Sequence, residues 1–216
     1  LLKDVHERFG EPDIRTEFVP MVSIPAPDRE PWKDDCVMPA KDLAQASTAH
    51  DVKTIIQPLL TKYKEWMTET FTETRENALR NRAQSVFDRM KKGLELLCQD
   101  DEARLAFNVA NQAVDTNFLR VIKQNNGSAT GIKWHSFQLG FVLLTLESLA
   151  NPGSSDRDAV DLLWVATGGG KTEAYLLLTA FLLAYRRLKP DMQQTVLSEK
   201  MLDKHWTIHG HGTSVI

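Results

Sequence analysis

The run Val165-Ala166-Thr167-Gly168-Gly169-Gly170-Lys171-Thr172 joins three glycines to a lysine and a hydroxyl, the residue types that can wrap a polyphosphate. Glycines let backbone N–H groups turn inward where a Cβ would strike the ligand or forbid the dihedrals. Lys171 supplies a mobile positive charge for the β- and γ-phosphates and is the candidate catalytic residue. Thr172 places a hydroxyl where it can ligate Mg²⁺, and a helix opening at Glu173 aims its positive dipole end at the same anion. The expected cofactor contacts are Thr167, Gly168, Gly169, Gly170, Lys171, Thr172 and Glu173, with ATP and Mg²⁺ as ligands. The plainer alternative is a glycine-rich turn carrying a solvated lysine.

A second candidate lies 33 residues ahead of Lys171, in Trp134-His135-Ser136-Phe137-Gln138. The planar amide of Gln138 offers a donor and an acceptor together, a pattern that can read the N6 and N7 edge of adenine. A glutamine on a helix is commonly a polar surface residue. The phosphate-type loop downstream is what makes Gln138 a candidate base contact.

Such residues need elements to hold them. Val160 to Ala166 is a short apolar run with the length of a buried parallel strand, and Ala174 to Tyr185 reads as a helix apolar on most of its circumference. Strand, glycine loop and helix in succession predict an α/β fold that begins a parallel sheet. Before it, Phe137 to Leu149 reads as an apolar helix and Asn151 to Asp156 as a turn.

Further upstream the pattern is helical. Val52, Ile55, Ile56, Leu59, Leu60, Tyr63, Trp66 and Met67 recur at three-and-four spacing, with Thr48 and Asp51 as an N-terminal cap. Pro58 within that stripe predicts a bend. Leu79, Ala83, Val86, Phe87, Met90, Leu94 and Leu97 form a second stripe; Asp100 and Asp101 cap a third through Leu105, Phe107, Val109 and Val114. The expected domains are an irregular proline-rich strap or linker over 1–46, a helical accessory bundle over 47–126, and the beginning of an ATP-binding lobe over 127–216. Six of the nine prolines fall in the first forty residues, where Phe18, Val19, Met21 and Trp32 are candidate anchors.

Composition narrows the class. The 216 residues are 42% hydrophobic with a formal net charge of -3, so a core can form and no overall basic field marks a nucleic-acid binder. Cys36 and Cys98 stand far apart without a CxxC pattern, which fits a reducing compartment and a cytoplasmic location. The longest nearly apolar run is shorter than the roughly 18 residues of a membrane span. Residue 1 is Leu, and Thr213 to Ile216 look like the opening of a strand, so the chain is expected to be a portion of a longer one.

An aromatic-rich segment with Gln138 ahead of Thr167-Gly168-Gly169-Gly170-Lys171-Thr172 resembles the first two nucleotide motifs of superfamily 2 helicases and DNA translocases. The loop pattern G-x-x-x-x-G-K-[ST] asks for glycine where this chain has Val165, a position that helicase-like variants relax. More narrowly, Ala106 to Ala113, Trp134 to Leu139, Asp161-Leu162-Leu163 and Thr167 to Leu176 resemble the DrmA-like helicase subunits of bacterial DISARM anti-phage systems, in their N-terminal portion. The resemblance covers about residues 100 to 188. It implies a RecA-like P-loop NTPase sheet, an ATP-driven motor on single- or double-stranded DNA, and a second subunit of the defence complex.

That resemblance also exposes a gap. Superfamily 2 motors need a D-E-x-x motif after the loop and later an arginine finger. The Asp101-Glu102 pair precedes the loop, and 45 residues follow Lys171, so this portion alone is expected to bind nucleotide without efficient hydrolysis. Alternatives are a different P-loop ATPase or kinase, or a silent scaffold fragment with a vestigial loop. His205, His209 and His211 read as loop histidines rather than metal ligands. Arg75, Arg80, Arg82, Arg89, Lys91 and Lys92 read as a solvated helix face, or as a basic strip for DNA phosphates.

Overall fold

The computed structural model describes residues 36–72, 77–128, 130–163, 165 and 169–189, with the backbone of 210–211 and 214–215. Its framework is helical. A short α1 (Ala40–Gln45) is followed by α2 (Ala49–Thr70), α3 (Asn77–Gln99), α4 (Asp101–Gln124), α5 (Ser136–Ala150) and α6 (Lys171–Leu188). In the main packing pairs, α3 lies against α5, α4 against α6 and α2 against α3.

Local chemistry sets the helix starts. Asp51 N–H donates to Thr48 Oγ1 at 3.1 Å while Thr48 N–H donates to the Asp51 carboxylate at 3.0 Å, the reciprocal cap that opens α2. Asp100 opens α4 by accepting from Ala103 N–H at 2.9 Å. α2 continues through Pro58, whose neighbours Ile56, Leu59 and Leu60 are buried.

One core joins these helices, with Leu43, Ile56, Leu97, Phe107, Leu143 and Phe181 among its enclosed members. At Gly93 the backbones of α3 and α5 approach so closely that a Cβ would collide with the Leu143 carbonyl oxygen. On α4 the buried stripe is Ala103, Ala106, Phe107, Ala110 and Val114, whereas Leu105 and Val109 face outward. Small alanines let α6 lie close, so the face was set by size as well as by hydropathy.

Residues 36–46 belong to this core too: Met38 and Leu43 are buried, and Trp134 N–H donates to Met38 O at 3.0 Å while Ala40 N–H donates to Ile132 O at 2.9 Å. Phe18, Val19, Met21 and Trp32 lie outside the described residues.

The expected α/β fold with a RecA-like parallel sheet is overturned. Among the described residues, strand pairing is confined to β1 (Gly210–His211) and β2 (Ser214–Val215), which run antiparallel with Gly210 opposite Val215, and to an isolated antiparallel bridge between Pro39 and Lys133. The apolar run at 160–163 has no regular structure, and Val160 and Leu162 are 96% and 78% exposed. A strand needs a neighbour for its N–H and C=O groups, and a short apolar run carries no information on whether one exists. α6 accordingly buries one stripe, Ala174, Leu177, Phe181 and Tyr185, and turns Leu176 and Leu183 outward instead of lying greasy-sided under a sheet.

Candidate nucleotide-binding site

The N-termini of α5 and α6 meet at one place, and Gln138 joins them. Its Oε1 accepts from His135 N–H at 2.9 Å at the mouth of α5, and its Nε2 donates to the Gly170 carbonyl at 2.6 Å at the mouth of α6. Gln138 is only 3% exposed, so this amide is an internal strut between elements 32 residues apart. It does not stand on the surface.

Gly170 precedes α6 with φ 89° and ψ 21°, a left-handed conformation that favours glycine. A Cβ there would lie 2.7 Å from Gln138 Nε2 and 3.5 Å from Glu173 Oε2. The Lys171 side chain turns back toward Val165, its Nζ donating to the Val165 carbonyl at 2.5 Å. Thr172 is exposed, and Glu173 lies in the first turn with its buried Oε2 lacking a hydrogen-bond partner among the described residues. Thr167 and Gly168 lie outside the described residues, while Gly169 is buried beside Gly170.

The structure therefore brings together Gln138, Gly169, Gly170, Lys171, Thr172 and Glu173. Chemically, the first turn of an 18-residue helix offers unpaired backbone N–H groups and a positive dipole end, with a lysine and a hydroxyl beside them. These groups suit a phosphate and its Mg²⁺.

The far end of α6 is also tied down. Tyr185 Oη donates to Asp100 at 2.9 Å, and Lys189 Nζ lies 3.2 Å from Asp100 and 3.3 Å from Glu102. Burial pushes the Tyr185 hydroxyl well above its usual value, and the hydrogen bond to Asp100 adds to this. For Asp100, burial pulls upward, but donors from Ala103, Tyr185 and Lys189 outweigh it and hold the carboxyl below the ordinary range.

Several positioning residues were not read as such from the sequence. Asn111, fully enclosed, accepts the Trp134 indole N–H at 2.8 Å; Asn108 donates to the carbonyls of Leu43 at 2.5 Å and Ala46 at 3.1 Å, closing the end of α1. Asp115 accepts from Ile132 N–H at 2.7 Å. A tryptophan just ahead of α5 was the available signal, because a buried indole N–H requires an acceptor. Arg89 was grouped with a solvated face, yet its side chain is 12% exposed and binds Asp161 through Nη1 and Nη2, at 2.6 and 2.7 Å.

The rest of the basic strip is divided. Arg80 and Arg82 are exposed, Lys91 pairs with Glu95 at 3.4 Å, Lys92 pairs with Asp156 at 3.4 Å, and Arg75 lies outside the described residues. His205 and His209 also lie outside them, and of His211 only the backbone is described. Among the described residues no His, Cys, Asp or Glu group could hold a metal ion by itself, and no helix is long and apolar enough to cross a membrane.

Comparison with known proteins bears on the same stretch. The chain is 34% identical over 165 residues to the DISARM protein DrmA of Bacillus paralicheniformis, a match covering 68% of this chain. The relationship is DrmA-like. The chain spans about 15% of that relative's length, and no protein-family model matches it.

Proposed function

We propose that the chain is the nucleotide-binding part of a cytoplasmic, ATP-dependent DISARM-type defence protein. In this reading it is a helicase or translocase of superfamily 2 that acts on DNA together with a second subunit. The observation that carries the proposal is the meeting of Gln138, left-handed Gly170 and Lys171 at the N-terminus of α6. Bound there, ATP with Mg²⁺ would supply the phosphoanhydride bond whose cleavage drives a motor.

The chain's own residues divide the work. The N–H groups of Gly169, Gly170 and the first turn of α6 take the phosphates, and Lys171 exchanges the Val165 carbonyl for a phosphate oxygen, a stronger charge-assisted partner. Thr172 offers its exposed hydroxyl to the metal. Gln138 fixes the rim of the loop through Gly170 and reaches adenine only by giving up one of its two internal bonds. The DrmA-like relationship supports the defence role, and the exposed Arg80 and Arg82 offer a place for DNA phosphates.

Calorimetric titration of Mg-ATP and ADP into the protein and its Lys171→Ala variant tests the reading. Removing one charge-assisted contact should weaken binding by about tenfold or more. A second reading draws on the Lys171–Val165 and Gln138–Gly170 bonds themselves: the loop as an internal clasp in an interaction module. A folded wild type that binds neither nucleotide selects that reading.

A further inference from the structure

Residues 132–134 lie as a strap between α4 and the segment ahead of α1. From α4, Asp115 accepts the Ile132 N–H at 2.7 Å and Asn111 accepts the Trp134 indole N–H at 2.8 Å. From the other side, Ala40 N–H donates to Ile132 O at 2.9 Å and Trp134 N–H donates to Met38 O at 3.0 Å. The strap ends at His135, whose N–H donates to Gln138 Oε1 at 2.9 Å, and Gln138 Nε2 donates to Gly170 O at 2.6 Å. A continuous line of contacts thus runs from α4 to the mouth of α6.

Each joint in that line is directional. Asn111 Nδ2 donates to Phe107 O at 2.9 Å, which holds its carboxamide in one orientation, and the indole N–H follows the oxygen. The Gln138 amide is planar, so the place of its Oε1 decides where its Nε2 points. The Gly170–Lys171 peptide is trans, so its C=O and the Lys171 N–H point in opposite directions. Drawing the carbonyl toward Gln138 therefore turns the Lys171 N–H away from Gln138, outward from the first turn of α6. Burial alone would be satisfied by a phenyl ring in place of Trp134; the indole donor is what ties the ring to α4.

We infer that Asn111 is a positioning residue for nucleotide binding, acting through Trp134 and Gln138 to aim the Lys171 N–H at an incoming phosphate. The inference rests on the nucleotide reading above, and its point of action is the Gly170–Lys171 peptide.

The test is titration of Mg-ADP into wild type, Trp134→Phe, the pair Asn111→Leu with Trp134→Phe, and Gln138→Leu with and without Trp134→Phe, each first melted by circular dichroism. Thr145→Val, two turns beyond Gln138 on α5 and bonded within its own helix, serves as the control. Trp134→Phe leaves the Asn111 oxygen unpaired, so melting falls; removing both partners restores much of it. Expected is about a tenfold weakening in Trp134→Phe, equivalent to about 1.4 kcal/mol, with the same weakening in the pair although it melts closer to wild type. Adding Trp134→Phe to Gln138→Leu should cause no further loss, and the control should not change. A role confined to stability predicts instead that affinity recovers with melting in the pair. That result, or affinity within twofold of wild type in Trp134→Phe, overturns the positioning role and leaves the nucleotide site standing. So does full additivity on the Gln138→Leu background, and so does a loss traced to unfolding of both Trp134→Phe and the pair below the titration temperature. A wild type that binds no nucleotide overturns the nucleotide reading and this inference with it.

Discussion

The helical core and the described residues between Asp156 and Gly170 are held by different forces. In the core, Phe107, Leu143 and Phe181 are fully enclosed and the polar side chains that enter, Asn108 and Asn111, find partners. Among the described residues of the pre-loop stretch, Val160 and Leu162 stand in solvent and Leu163 touches the core, while Arg89, Lys92, Lys171 and Gln138 make polar attachments. A core held by buried apolar area opens only as a unit, whereas a segment held by a few polar contacts can be released one bond at a time. The part of the molecule that would meet a ligand is the part that can respond to one.

The largest expected effect lies in the core. Phe107→Ala should cost about 3–5 kcal/mol, by lost transfer energy and the cavity left behind. Chemical denaturation would show a lower midpoint with an unchanged slope. A loss below 1 kcal/mol would mean that α4 and α6 repack freely, and the contrast with the pre-loop stretch would weaken.

The smallest effect should come from the apolar residues outside the core. Replacing Val160 and Leu162 together by serine should change stability by no more than about 0.5 kcal/mol, because Val160 is 96% and Leu162 78% exposed and little of either side chain leaves water on folding. A cost of several kcal/mol in the same denaturation experiment would show that the pair is covered in solution and that side chains other than the ion pairs hold this stretch.

Much of the core was legible from the sequence because its signals are local. The Thr48–Asp51 and Asp100 caps open α2 and α4, and the apolar run from Phe137 to Leu149 falls within α5. The face of α4 was read less well, since Leu105 and Val109 were expected inside and the alanines that admit α6 are weak hydrophobic signals. The strand at Val160 to Ala166 failed for a different reason: an extended backbone depends on partners that a linear pattern does not name.

The site was partly legible in the same sense. A glycine loop before a helix, with Gln138 upstream, pointed to residues that the structure places side by side: Gln138, Gly169, Gly170, Lys171, Thr172 and Glu173. The role of Gln138 as a strut was not, since its acceptor and donor are backbone groups of two different helix mouths. Nor was Arg89, whose neighbours on α3 are solvated and whose partner lies 72 residues on.

Hydrogen exchange with and without saturating Mg-ATP addresses the central claim, that the polar-held segment and loop form the nucleotide-responsive part of an otherwise fixed helical core. Protection should appear at Val165, across Gly169 to Glu173 and along the approach from Asp161, while the centres of α4 and α5 exchange as slowly as before. Nucleotide that protects none of these amides, or that protects only the helical core, would contradict the account.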